Sequence, residues 1–256
     1  MIETVGLSKR FGDLVAVDSL DLNIARGEFF AFLGPNAAGK TTTIKMLAGL
    51  LRPSAGRCSI GGFDVQKSPE SAKRLLAYVP DFPFLYEKLT CSEFMRFIGE
   101  LFEIERGKMT RKTDALFDRF NLGTYRNELT ENLSHGTRQR LVIASALLHD
   151  PEVLIIDEPM VGLDPQHARL VKDELKERSR QGMTVFLSTH TLSVAEEIAD
   201  RIGIIHAGRL VALGTVDELR SQWAQGSGAL ENVFLAIVDA EEQHAASLRS
   251  KQSTGP

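Results

Sequence analysis

From Ile2 to Leu33 apolar positions alternate with polar ones in short runs (Ile2, Val5, Leu7; Val15, Val17; Leu20, Leu22, Ile24), broken at Gly12-Asp13 and Arg26-Gly27. This period of two predicts a small, partly exposed antiparallel sheet. At Phe29 the alternation stops, and Phe29, Phe30, Ala31, Phe32 and Leu33 form an unbroken apolar run, the pattern of a parallel strand covered on both faces. A helix is predicted from Lys40, ended by Gly49 and Pro53. Ser59 to Val65 reads as a short strand broken at Gly61-Gly62. Ser68 as N-cap and Pro69 at the first helical position then open a helix, and Leu76 to Val79 forms another strand.

From Thr90 to His149 the apolar spacing becomes helical: Phe94, Phe97, Ile98, Leu101 and Phe102, then Leu116, Phe117 and Phe120, all expected to be core. A buried strand from Val153, a polar helix from Pro165 to Gln181, a strand from Met183 and a hairpin about Ala207-Gly208 follow. Thr215 to Glu218 is a capping box opening a further helix. The order of elements predicts an α/β fold with a mostly parallel sheet core, an N-terminal antiparallel β subdomain and an inserted α-helical subdomain. Residues 1–220 are expected to form this domain, with the helical insert over roughly 86–148. Residues 221–256 form a Gly- and Ser-rich extension with one apolar helix turn (Leu230, Val233, Phe234, Ile237) and a tail expected to be disordered.

Composition narrows the classes. The 256 residues are 43% hydrophobic and 25% charged, which is ordinary for a globular protein, and 30 basic against 34 acidic residues leave a net charge of −4 with no sign of a nucleic-acid-binding surface. Cys58 and Cys91 stand far apart in no metal-ligand spacing, which suits a reducing compartment. The N-terminus lacks the apolar core of a signal peptide, and no apolar run approaches the ~20 residues of a spanning helix. Any membrane role is therefore expected to come through a partner.

Four stretches carry chemistry. Gly34-Pro35-Asn36-Ala37-Ala38-Gly39-Lys40-Thr41 fits G-x-x-x-x-G-K-[ST] between a predicted strand and a predicted helix. Such a loop turns backbone N–H groups and a helix N-terminus toward polyphosphate. Lys40 would reach the β- and γ-phosphates, and Thr41 would ligate a bridging Mg²⁺. The strand ending in Asp157-Glu158 puts two carboxylates where ligands bind in open α/β sheets: Asp157 can hold the metal through its water shell, and Glu158 can deprotonate an attacking water. Ser134 is a plausible N-cap before an apolar helix, so the amides near Gly136 form a second anion-ready helix start. His190 closes a third strand at the same expected edge. Two prolines, Pro80 and Pro83, interrupt a loop that carries Phe82, Phe84, Leu85 and Tyr86, a surface either buried or kept for a partner.

Together these motifs resemble the nucleotide-binding subunit of an ATP-binding cassette (ABC) transporter, a P-loop NTPase, over residues 2 to about 214. Gly34 to Thr41 with Thr42 matches Walker A, Leu133 to Thr137 the LSGGQ signature, Val153 to Glu158 Walker B, Gly162-Leu163-Asp164 the D-loop, His190 the switch histidine and Phe11 the aromatic that stacks on adenine. The loop after Tyr78, the SHGTRQRL stretch and the GALENVFLAIV tail resemble bacterial ABC-2 type exporter ATPases. The resemblance implies a Mg²⁺-dependent ATPase forming a homodimer with two ATP molecules in the interface, each between Walker A of one chain and Ser134 and Gly136 of the other. It implies a separate membrane permease docked near Phe82 to Tyr86, and a peripheral place on the cytoplasmic face of the membrane. The chain departs from the pattern in three places. Ala37 replaces a loop glycine and would be strained at positive φ, His135 and Thr137 replace Gly and Gln of the signature, and Asp81 stands where a metal-sensing glutamine is usual. The alternative is a soluble cassette acting on ribosomes or DNA. A single cassette without long coiled coil or basic surplus weighs against it.

Overall fold

The computed structural model describes residues 1–223 and Phe234. Two sheets organise them. β1 (Ile2–Phe11), β2 (Leu14–Ile24), β4 (Ala55–Ile60) and β5 (Phe63–Asp64) form a four-stranded antiparallel sheet in the order β2-β1-β4-β5. The central sheet has six strands in the order β10-β9-β3-β8-β7-β6. It comprises β3 (Phe29–Leu33), β6 (Leu76–Val79), β7 (Val153–Asp157), β8 (Thr184–Thr189) and β9 (Arg201–His206), all parallel, and β10 (Arg209–Gly214), antiparallel to β9. Every residue of β3, β7 and β8 is buried, as expected of strands covered on both faces.

Eight helices cover the sheets among the described residues: α1 (Lys40–Leu47), α2 (Pro69–Leu75), α3 (Cys91–Leu101), α4 (Arg106–Arg119), α5 (His135–Leu147), α6 (Pro165–Arg180), α7 (Leu192–Ile198) and α8 (Val216–Trp223). Several begin where local chemistry dictates. Thr90 and Glu93 close a capping box on α3, Ser134 accepts the Thr137 amide at the start of α5, and Asp164 caps α6 ahead of Pro165. Ser68 does sit at the N-cap of α2 but makes no side-chain bond there. The adjacent Asp64 carboxylate instead accepts the amides of Gln66 and Lys67, a local turn that uses the nearer donors. The helix α7 had no sequence signal; its N-cap Thr191 makes no side-chain cap bond and the helix is short.

Phe30, Phe32 and Phe186, with ring centroids 5.3–6.4 Å apart, fill the layer between the central sheet and the antiparallel sheet with α1. A second core lies between the other face of the central sheet and α3 to α6, holding Phe94, Phe117, Phe120 and Leu141. The expectation that Phe97 and Leu101 are also core is corrected: they are exposed, at 38% and 66%. The helical period finds the apolar stripe of α3, but the stripe is wider than the surface that covers it. The helix α8 runs to Trp223, past the expected boundary at 220. The expected C-terminal extension otherwise lies outside the described residues, apart from Phe234, which packs against the cluster that includes Ile202, Ile204 and Leu219.

Candidate functional site

Strand register builds the site. Leu33 pairs with Thr189 and with Ile204, and Asp157 pairs with Ser188. The loop after β3, the acid pair after β7 and the Ser-Thr-His end of β8 therefore emerge along one edge, where ligands of open parallel sheets are held. There they border a cleft of about 500 Å³ lined by Phe11, Asn36, Lys40, Thr41, Asp81 and Glu158, among others.

The loop from Gly34 to Gly39 wraps back over the start of α1. Gly39, the N-cap, has φ of 108°, and a Cβ there would come within 2.5 Å of the Ala16 carbonyl oxygen. Only glycine fits that approach. Ala37 takes a φ of 64°, so the residue that departs from the family pattern does bear the left-handed conformation, at a cost of roughly 1 kcal/mol. The loop is buttressed by the β9–β10 turn: the Gly208 amide donates to the Ala38 carbonyl at 2.9 Å, and the Asp18 amide donates to the Gly208 carbonyl at 2.8 Å. Ala207 and Gly208 also line the cleft. The sequence marked this turn only as a hairpin, because nothing local ties it to the loop.

Lys40 is buried, and its ammonium donates to two neutral carbonyls, Gly34 at 2.5 Å and Pro35 at 3.0 Å. Burial lowers its pKa, with Glu158 and Asp157 pulling the other way. Asp157 is also buried, and burial raises its pKa while the Thr41 hydroxyl, donating at 3.2 Å, opposes the rise. A desolvated cation and a desolvated anion facing one cleft form a donor set for a ligand carrying both signs, such as a polyphosphate with a divalent cation. Among the described residues no group of three or more His, Cys, Asp or Glu side chains could hold a metal without help.

Glu158 has φ of 47°, a strained value for a side chain of this size, with its amide bonded to the Ser188 carbonyl at 2.9 Å. Its carboxylate is held from β8: the Thr189 hydroxyl donates to one oxygen at 3.2 Å, and His190 Nδ1 lies 2.7 Å from the other. Thr189 was not singled out by sequence, since a threonine in a buried strand carries no signal. Of the other expected site residues, Phe11, Pro35, Asn36, Ala37, Thr42 and Asp81 line the cleft, whereas Gly34 and Ala38 serve through their backbone behind it. Phe11 is 49% exposed, with the Lys9 ammonium 5.1 Å from its ring centroid. Ser134 and Gly136, at the start of α5, do not line this cleft.

Fold and site together define a P-loop nucleoside-triphosphate-binding protein: a parallel sheet edge bearing a phosphate loop, a metal-ready acid and a second, hydrogen-bonded acid. Comparison with known proteins takes the assignment further. A family model described as ABC transporter matches residues 17–161. The probable multidrug ABC transporter ATP-binding protein YbhF of Escherichia coli (strain K12) is 35% identical over 249 residues, 96% of this chain and 43% of YbhF, so the chain spans less than half of that relative. The daunorubicin/doxorubicin resistance ATP-binding protein DrrA of Streptomyces peucetius is 39% identical over 242 residues, 94% of this chain and 72% of DrrA. A solved structure of an ATP-binding subunit of an ABC transporter superposes with a TM-score of 0.88 at 33% identity, covering 93% of this chain and 99% of that one. The chain belongs to the ABC transporter family and carries its ATP-hydrolysing domain. No helix among the described residues is long and apolar enough to cross a membrane.

Proposed function

We propose that this chain is the motor subunit of an ABC-2 type exporter, a peripheral protein on the cytoplasmic face of the membrane, in which two copies close on two ATP molecules. Residues 1–220 are taken as the ATPase domain with 86–148 as its helical insert. Phe11 stacks on the adenine. The loop amides from Asn36 to Gly39, the Lys40 ammonium and Thr42 hold the phosphates. Thr41, Asp157 and Asp81 hold Mg²⁺, which when bound neutralises charge on the β- and γ-phosphates. Glu158 takes a proton from the attacking water, with His190 and Thr189 fixing its carboxylate and the free edge of His190 turned to the γ-phosphate. Ser134 and Gly136 lie outside the cleft of their own chain, and in this reading they close the site of the partner copy.

The permease docks near Phe82 to Tyr86. Phe82 and Phe84 are 81% and 76% exposed, while Leu85, which follows Phe84, is buried and anchors the loop. Phe84, Tyr86 and Phe97 form an edge-to-face series with centroids 5.8 and 5.1 Å apart, an apolar surface of the kind kept for a partner. Export of drugs is supported by the drug-resistance and multidrug descriptions of the relatives.

The observation that carries the ATPase reading is the Glu158 carboxylate bonded to both His190 and Thr189 at the rim of the cleft. Glu158→Gln is expected to lower phosphate release by about 10²- to 10⁴-fold. It should also leave ATP bound and produce a dimer on addition of ATP, seen by size-exclusion chromatography. Turnover equal to that of the parent chain refutes the base assignment, and an ATP-bound chain that stays monomeric refutes the two-copy site.

A further inference from the structure

Arg140 in α5 is a buried cation, 4% exposed, that forms no salt bridge among the described residues. Carbonyls satisfy it instead. Its Nη1 donates to Phe120 at 2.6 Å and Asn121 at 3.0 Å, at the C-terminal end of α4 where the helix dipole is negative, and its Nε donates to Gly136 at 3.4 Å. The remaining arm, Nη2, donates to the Thr137 hydroxyl oxygen at 3.2 Å, and that oxygen lies 2.9 Å from the Ser134 hydroxyl oxygen.

Chemistry fixes the direction of these bonds. A guanidinium only donates, so the Thr137 oxygen accepts from Arg140. Thr137 is 3% exposed, and among the described residues the one acceptor placed for its own proton is Ser134 Oγ; unmade, that bond would leave a buried O–H orphaned. The Thr137 backbone amide also donates to Ser134 Oγ, at 3.3 Å. Ser134 thus accepts twice, and its own proton turns outward from an exposed residue.

We propose that Arg140 and Thr137 are positioning residues that lock Ser134 as a hydrogen-bond donor toward a phosphate oxygen of the nucleotide carried by a second copy of this chain. The bonds Arg140 to Thr137 to Ser134 all point one way, so each polarises the next and the buried charge strengthens an outward O–H that it never touches. Thr137, one of the residues that departs from the family signature, is the link that makes the relay. The inference rests on the proposed role of Ser134 in the partner's site.

The test uses the full chain carrying Glu158→Gln, so that ATP is not consumed. ATP-driven dimerisation is followed by sedimentation velocity, and affinity of the monomer by a fluorescent ATP analogue. Thr137→Val keeps the shape and removes the hydroxyl; it is preferred to changing Arg140, whose loss would strip the Phe120 and Asn121 carbonyls of their donor. The expected loss is about fivefold per site, and so about twenty-five-fold in the dimerisation constant, with monomer affinity unchanged. Thr137→Ser restores the parent value. In a Ser134→Ala background Thr137→Val causes no further loss. If Ser134→Ala abolishes dimerisation but Thr137→Val does not weaken it, the relay is overturned while the role of Ser134 stands. If the two losses simply add, Thr137 acts by packing and the relay is overturned. If Ser134→Ala dimerises like its parent, the contact across the two copies fails first.

Discussion

His149, just past the C-cap of α5, makes the stability of the fold depend on pH. Its ring stacks on Phe102 with centroids 3.7 Å apart and an interplanar angle of 7°, and neither ring nitrogen completes a hydrogen bond. Burial pulls its pKa down from 6.5 to about 4, with the Leu76 backbone and the Asp150 carboxylate opposing in part and the Lys112 ammonium adding slightly. In the unfolded chain the imidazole takes its proton from pH 6.5 downward; in the folded chain it does so only near 4. Between those values the unfolded state binds more protons, so stability falls as the pH falls through this window and is flat below it. At about 1.4 kcal/mol per unit the whole window is worth about 3 kcal/mol, and the step from pH 7 to pH 5 about 2 kcal/mol.

The perturbation is His149→Phe, which keeps the stack on Phe102 and removes the titrating nitrogens. At pH 7 the variant should match or exceed the parent, since two unpartnered buried nitrogens are gone. Melting curves at pH 7 and pH 5 then isolate the effect, because every other group titrates alike in both chains. The parent should lose more between the two pH values than the variant does, by about 4–8 °C for a domain of this size. If both lose the same, His149 is protonated in the folded state as readily as in the unfolded one, and the burial argument fails.

The other predictions concern the site. Ala37→Gly should change the melting temperature little, since relief of left-handed strain is offset by the greater freedom of glycine in the unfolded chain. Ala37→Val, β-branched at φ of 64°, should destabilise by about 1–2 kcal/mol, and equal melting of the two variants would refute the strain. Phe84→Asp should leave melting and ATP binding of the isolated chain unchanged, because Phe84 is exposed, and should abolish co-purification with the membrane partner. Loss of ATP binding in step with partner binding would make Phe84 part of the domain's core.

What the sequence discloses here depends on how local the determining physics is. The phosphate loop, the buried strands β3 and β7 and the cap of α5 are legible because each rests on a few consecutive residues: a glycine where a Cβ cannot fit, an apolar run, a serine one step before a helix. The meeting of Lys40, Asp157 and Glu158 at one edge is legible at one remove, since parallel strands of similar length end together. What holds those groups in place is not. The Gly208 amide on the Ala38 carbonyl, the Thr189 hydroxyl on Glu158 and the Arg140 arm on Thr137 join residues 170, 31 and 3 positions apart, and in no case does the donor's own neighbourhood announce its acceptor. The proposed relay through Thr137 shows that nearness in sequence is not enough: its direction follows only once Thr137 is known to be buried and Arg140 to lack a carboxylate among the described residues. Phe97 and Leu101 make the same point from the apolar side. Their spacing marks a helix face, but whether a face is core or a docking surface is decided by what the rest of the chain leaves uncovered, and on α3 it leaves uncovered the part that continues the Phe84–Tyr86 surface.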